Sequence, residues 1–141
     1  MTNLVIEHYA DNINKTPAVV LALEEWLESY RNGYSDDVMN IFWDDSALVA
    51  YRDGDPIGVI IYRKLSWMKT IHVAIGYVRP QARRSGVYTT LWQAMVSKTQ
   101  ELKFLTITGT THVNNIDMQA VMQKLNRPLF AYTYNFEVPK T

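Results

Sequence analysis

The sequence contains no cysteine among its 141 residues. Disulfide scaffolds, cysteine-ligated zinc, iron–sulfur clusters and a cysteine nucleophile are therefore excluded. An excess of charge is missing as well, because 14 Lys and Arg residues balance 14 Asp and Glu residues. Proteins that coat nucleic acid or an anionic membrane are normally basic, so the neutral balance argues against that class.

Long hydrophobic runs are also absent. No window reaches the ~18 apolar residues of a membrane span, and the opening MTNLVIEHYA lacks the basic start and apolar stretch of a signal peptide. The chain shows no repeat, linker or low-complexity tract, while its 48% hydrophobic and 12% aromatic content suits a packed core. We therefore expect one domain over residues 1–141 of a soluble, cytoplasmic protein without membrane contact.

Periodicity predicts the element order βααβββαβαβ. The elements are strand 4–10, helices from 16 and from 35, strands 47–52, 56–63 and 69–78, a helix after 86, strand 104–108, helix 115–125 and a closing strand 130–136. Such an order indicates an α/β (α+β) fold with a mixed sheet and helices on its faces.

The first helix is predicted to start with Thr16 as the cap and Pro17 at the first helical position. Its apolar stripe is read from residues at helical spacing, namely Val19, Val20, Leu23, Trp26, Leu27 and Tyr30. The acidic residues Glu24, Glu25 and Glu28 then face solvent. Such an acidic surface would suit a cationic amine, although a charged stripe is usually only a solvated helix face.

The segment YVRPQARRSGVYTTL, residues 77–91, is the most informative for chemistry. It runs from a strand through Pro80 and a basic loop to a helix start, where unpaired amides and the positive end of the helix dipole favour phosphate. Arg79, Arg83 and Arg84 add positive charge, and Gly86 allows close backbone approach. Taken alone, the segment indicates a ligand that carries phosphate, or else a solvated basic loop.

This segment resembles motif A of the GNAT superfamily of acyl-CoA-dependent N-acyltransferases, with Val78-Arg79-Pro80 followed by Arg83-Arg84-Ser85-Gly86-Val87-Tyr88. The resemblance implies a mixed, mostly antiparallel sheet of six to seven strands with splayed central strands. It also implies that acetyl-CoA is the co-substrate and that no metal is needed. Tyr88 departs from the pattern, because the family prefers Gly or Ala there. The segment THVNN and the short C-terminal end resemble small phage-encoded members.

The resemblance also assigns residues to the cofactor. The loop residues Arg83, Arg84, Ser85, Gly86, Val87, Tyr88 and Thr89 would wrap the pyrophosphate of coenzyme A. The backbone of Tyr77 and Val78 would pair with the pantetheine arm, Arg79 would add charge, and Asn115 would begin the helix after the fifth strand.

Two histidines are candidates for the group that takes the proton of the amine. His72 lies six residues before Val78, where histone-type relatives carry a catalytic carboxylate, and it shares a face with residues 74, 76 and 78 if no bulge intervenes. His112 lies at the end of the fifth strand, close to Asn115. Either one could instead be a structural histidine.

No residue is an obvious general acid. Many relatives have a tyrosine seven residues after the helix-opening Asn, but Met122 stands there. Tyr132 or Tyr134 could substitute, although sheet packing alone explains their alternation. Met118 and Met122 are interpreted as core residues or walls of the cleft.

The leading hypothesis is an acetyl-CoA-dependent N-acetyltransferase that transfers an acetyl group directly to a primary amine. The acceptor would be a small molecule, a protein lysine or a protein N-terminus, and the enzyme a monomer or a homodimer. A coenzyme A-binding module without turnover is the first alternative, since Met122 replaces the tyrosine. A nucleic-acid-directed relative is the second, and the net charge of +0 weighs against it.

Overall fold

The computed structural model describes residues 3–34 and 41–140. Five strands lie in the described residues: β1 Leu4–Tyr9, β2 Ser46–Arg52, β3 Asp55–Leu65, β4 Thr70–Val78 and β5 Thr106–Gly109. The helices of the same residues are α1 Pro17–Arg31, α2 Val87–Glu101 and α3 Ile116–Lys124.

The strands form one sheet in the order β1-β2-β3-β4-β5. The pairs from β1 to β4 are antiparallel, and β5 runs parallel to β4. One hydrophobic cluster packs α2 on one face of the sheet, and a second packs α1 on the other face. The predicted mixed, mostly antiparallel sheet with helices on both faces is confirmed, but it has five strands among the described residues rather than six or seven.

The predicted closing strand over residues 130–136 is wrong. Residues 128–140 adopt no strand, and Phe130, Tyr134 and Phe136 are 92%, 90% and 79% exposed. Alternating aromatic side chains are compatible with the two faces of an extended chain. Such a segment becomes a strand only where a neighbouring backbone pairs with it. The chain leaves α3 through a tight turn, in which the Arg127 N–H donates to the Met122 carbonyl, and does not pair with β5.

The second predicted helix, from Ser35 through Phe42, lies mostly outside the described residues. Of its positions only Ile41 and Phe42 are described, and both are outside helices. The other predicted elements form within a few residues of their expected limits. The Asp53-Gly54 turn has positive φ at both residues, 52° and 87°, which is the geometry of a tight hairpin.

Helix α1 begins as predicted, since the Thr16 side chain accepts a hydrogen bond from the Ala18 N–H. Its buried face differs from the predicted one: Ala18, Leu21 and Ala22 are buried, whereas Val20, Leu23, Leu27 and Tyr30 are exposed. Small residues let the helix approach the sheet closely, so the larger apolar residues did not mark the inner face. The helix is therefore turned relative to the expected orientation.

The sheet opens between β4 and β5. These strands pair only from Thr70 with Thr106 to Val73 with Gly109. At the same level the β3–β4 register shifts, because Ile61 pairs with Ile75 while Tyr62 pairs with Val73. Ala74 is thus the extra residue of a bulge, which bends a strand and increases its twist. Beyond it β4 continues without β5, as expected for splayed central strands.

Candidate functional site

A cleft of about 840 Å³ fills the gap between the separated ends of β4 and β5. Its walls come from the second half of α1, from residues 73–78 of β4, from the loop that enters α2, from the end of β5 and from α3. Most of the residues predicted to bind the cofactor line it: Tyr77, Val78, Arg83, Arg84, Gly86, Val87, Tyr88, Thr89 and Asn115.

The loop into α2 is held by Arg83. Its Nε donates to the Val78 carbonyl at 2.8 Å, and one Nη donates to Glu28 of α1 at 2.7 Å. The guanidinium also lies 5.6 Å from the centre of the Tyr77 ring. Arg83 therefore links the loop to β4 and α1, and its charge is already paired in this structure.

The loop presents a run of unpaired donors. Within the described parts of the chain, the backbone N–H groups of residues 84–89 have no acceptor. Arg84 and Gly86 have positive φ values of 61° and 84°, a left-handed backbone geometry that occurs in anion-binding loops. Arg84 is exposed and forms no ion pair with any described residue. Consecutive free amides at a helix N-terminus beside an unpaired arginine are suited to bind phosphate.

Three predicted cofactor residues make other contacts. Arg79 forms a two-pronged pair with Glu24 at 3.0 and 2.8 Å and does not line the cleft. Ser85 is also outside the lining, and its hydroxyl donates to the Ala82 carbonyl at 2.6 Å. Asn115 lines the cleft and caps α3, since its Oδ1 accepts from the Met118 N–H at 3.1 Å.

Tyr88 packs against β4 at Gly76. A Cβ atom added to Gly76 would be 2.9 Å from both the Tyr88 hydroxyl and its Cε2 atom. The ring therefore depends on the absence of a side chain at Gly76. Tyr88 lines the cleft from the α2 face of the sheet, in a place where the family pattern has Gly or Ala.

His72 does not line the cleft. Its Nδ1 lies 3.0 Å from the Thr108 Oγ1 on β5, and it pairs in register with Arg63 on β3. The bulge at Ala74 separates His72 from the α2 face that carries Val78. Burial, and then the charge of Arg63, lower the pKa of His72 below its ordinary value of 6.5, so the ring is neutral at neutral pH.

His112 lies at the rim of the cleft, behind Tyr34. The two rings stack with centroids 5.5 Å apart, and Tyr34 lines the cleft whereas His112 does not. The His112 Nδ1 accepts from the Asn114 N–H at 3.0 Å, so in the neutral ring the proton is on Nε2. The structure therefore brings neither predicted histidine to the cleft wall.

The position where relatives carry the acid is a methionine in this chain, although Tyr34, Tyr77 and Tyr88 line the cleft elsewhere. Met118 and Met122 contribute to the cleft wall. Tyr132 and Tyr134, the suggested substitutes, are 75% and 90% exposed and are not among the lining residues.

Sequence reasoning missed Glu25. It was read as solvent-facing, but it is partly buried and lines the cleft together with Ser29, the next residue on the same helix face. The signal that could have revealed it is helical spacing, which places Glu25 and Ser29 on the same side of α1 as the small residues Ala18 and Ala22.

The described residues contain no cluster of His, Asp and Glu side chains that could hold a metal ion. Among them there is also no helix long and apolar enough to cross a membrane.

Comparison with known proteins identifies the family. The model of the acetyltransferase (GNAT) family matches residues 19–126, which include most of α1, nearly all of the cleft lining and α3. The chain belongs to the GNAT acetyltransferase family. It is therefore an acyltransferase in class, as the resemblance of its loop to motif A implied. No curated protein matches the sequence.

Solved GNAT structures share the fold at low identity. An aminoglycoside N-acetyltransferase, AAC(6')-Iy, in complex with CoA is 16% identical, with 98% of this chain and 96% of that chain covered and a TM-score of 0.70. The ribosomal-protein-alanine N-acetyltransferase of Brucella melitensis biovar Abortus 2308 is 16% identical over 99% and 100%, with a TM-score of 0.64. The IAA acetyltransferase of Bacillus cereus ATCC 14579 is 19% identical over 87% and 75%, with a TM-score of 0.65.

Acetyl-CoA is the co-substrate that the GNAT family uses. The residues of this chain fit such a group, because the free amides of residues 84–89 and the unpaired Arg84 provide the donors that a pyrophosphate requires. The fit rests on the backbone of the loop more than on Arg83, whose guanidinium is occupied by Val78 and Glu28.

We predict that Gly86→Glu abolishes coenzyme A binding, because the substitution places a negative charge among the free amides. Calorimetric titration and the rise in melting temperature with coenzyme A measure the loss. The control is Gly86→Ala, which has the same strain at a positive φ of 84° and open space around its Cβ but adds no charge. Tight binding by a folded Gly86→Glu protein would overturn the assignment of the loop.

We predict that Gly76→Ala destabilises the protein by ~1–3 kcal/mol, as overpacking usually does. The new Cβ would lie 2.9 Å from the Tyr88 ring, so the ring must move. Urea unfolding of Gly76→Ala, Tyr88→Ala and the double variant measures the coupling. We expect the double variant to lose at least ~0.5 kcal/mol less than the sum of the single losses. Strict additivity would show that the two residues do not interact.

Proposed function

We propose that this protein is an N-acetyltransferase that transfers the acetyl group of acetyl-CoA to a primary amine. The observation that carries the proposal is the cleft between β4 and β5, whose wall includes both the loop with free amides at residues 84–89 and the second half of α1. A phosphate-bearing thioester held at the loop could reach along β4 to the point where β5 separates from it.

The cofactor would be held mainly by this chain's backbone. The amides of residues 84–89 would bind the pyrophosphate, Arg84 would add charge, and the free edge of Tyr77 and Val78 would accompany the arm. Acetyl-CoA, when bound, supplies an acetyl group activated as a thioester. The protein itself has to exclude water, orient the amine and remove one proton, because only the neutral amine is nucleophilic.

The proton acceptor predicted from the sequence is His72 or His112. The lowered pKa of His72 suits a base at neutral pH. Neither ring is part of the cleft wall, so each would act through intervening water. The Met122 side chain has no proton to donate, and we propose that the thiolate departs without a dedicated general acid from the protein.

Incubation with acetyl-CoA and a panel of primary amines, followed with a chromogenic thiol reagent, tests the activity. The protein has no cysteine, so every thiol detected comes from coenzyme A. We expect thiol release that requires both the amine and an intact loop, with the Gly86→Glu variant as the inactive control. Tight coenzyme A binding without amine-dependent release would instead favour a binding module, which the Met122 substitution motivates.

The histidines are tested by His72→Gln and His112→Gln, which keep hydrogen bonding but remove proton exchange. The sequence-based expectation is that one variant lowers kcat at least ~100-fold without weakening coenzyme A binding. The deficit should shrink at high pH, where the amine arrives neutral. Wild-type rates in both variants between about pH 6 and 9 would assign the role to water or to another group of the cleft.

A further inference from the structure

Two of the three acidic residues of α1 form ion pairs, and the third does not form one with any described residue. Glu24 is paired with Arg79 at 2.8 Å, and Glu28 is paired with Arg83 at 2.7 Å. Glu25, which lies between them in sequence, has no Arg, Lys or His within salt-bridge distance in the described chain. It is thus the carboxylate of this helix that no cation neutralises.

Glu25 also lies on a different side of α1. It lies about one helical turn after Ala18, Leu21 and Ala22, which are fully buried against the sheet, and it lines the same cleft as Val73 and Gly109, the last paired residues of β4 and β5. Within residues 3–34 and 41–140, its only side-chain hydrogen bond comes from the Ser29 hydroxyl, at 2.7 Å. The carboxylate and this hydroxyl both belong to the wall of the cleft.

The two faces of the cleft therefore differ in chemistry. Tyr88 covers Gly76 on the α2 face with an aromatic ring. On the α1 face the cleft meets a carboxylate that retains accepting capacity, because Ser29 supplies one donor to a group with two oxygens. A bound thioester arm would run between these faces, so an acceptor amine can approach from the α1 face.

We propose that Glu25 is the acceptor subsite of this enzyme and binds the ammonium group of a cationic alkylamine. The inference rests on the proposed function and names the chemical class of its acceptor. Partial burial raises the pKa of Glu25, so the carboxylate lacks full solvation. An ammonium ion in the cleft offsets that loss through a charge-assisted hydrogen bond, which a neutral acceptor cannot provide.

The first test is equilibrium binding, which needs no turnover. Butylammonium and the neutral 1-butanol, of matched length, are titrated by NMR into the protein saturated with coenzyme A. We expect butylammonium to bind at least ~10-fold more tightly than 1-butanol in the wild type, and Glu25→Gln to remove that preference. Equal affinities in the wild type, or a preference that survives in Glu25→Gln, overturn the proposal.

The control is Glu101→Gln, which removes a carboxylate that is 70% exposed at the end of α2 and outside the cleft lining. It should preserve the preference for butylammonium. Coenzyme A affinity and the urea midpoint of Glu25→Gln should match the wild type, because the carboxamide keeps the size and the Ser29 hydrogen bond. A loss of butylammonium binding that only follows a loss of coenzyme A binding would overturn the subsite.

The second test uses the amine with the fastest thiol release. We expect Glu25→Gln to raise its KM at least ~10-fold, with Glu25→Asp in between. An unchanged KM overturns the subsite while leaving the transferase activity in place. If the wild type binds butylammonium at Glu25 but releases no thiol with any amine, the proposed function fails and the cation subsite stands.

Discussion

The separation of β5 from β4 is the constraint on which the rest of the molecule depends. Pairing ends at Val73 and Gly109, and the bulge at Ala74 turns the continuing strand away from its former neighbour. Among the described residues, one edge of β4 therefore has no neighbouring strand over residues 74–78. The cleft therefore arises where the pairing of the sheet ends rather than as a cavity in the core.

Two ion pairs connect α1 to the segment between β4 and α2. Arg79 and Arg83 both leave the motif loop and reach α1, where Glu24 and Glu28 receive them. Partly exposed pairs of this kind add little to global stability. Their effect is to fix α1 against the segment that leads into α2. They also neutralise two of the three acidic side chains of α1. The third, Glu25, lines the cleft and has no cation within salt-bridge distance among the described residues.

The sequence allowed the fold class to be predicted because motif A, the hairpin and the β–loop–helix unit depend on local rules of chain geometry. The prediction failed where packing between distant parts of the chain determines the structure. The inner face of α1 is made by Ala18 and Ala22, which periodicity of large apolar residues cannot detect. The aromatic alternation after residue 128 predicted a strand, but strand formation needs a neighbouring edge, and none pairs with it among the described residues. The prediction that Glu25 faces solvent is wrong for the same reason, because it depends on assigning the inner face of α1 from the large apolar residues.

The missing tyrosine on α3 limits how the leaving group can depart. Met122 forms part of the cleft wall and cannot donate a proton, while the tyrosines that line the cleft, Tyr34, Tyr77 and Tyr88, come from other parts of the chain. A thiolate is a far better leaving group than an alkoxide, since the pKa of a thiol is about 8.5. The requirement for an acid is accordingly weaker than the requirement for a neutral amine. Catalysis in this chain would therefore depend more on how the acceptor is bound and deprotonated than on how the sulfur departs.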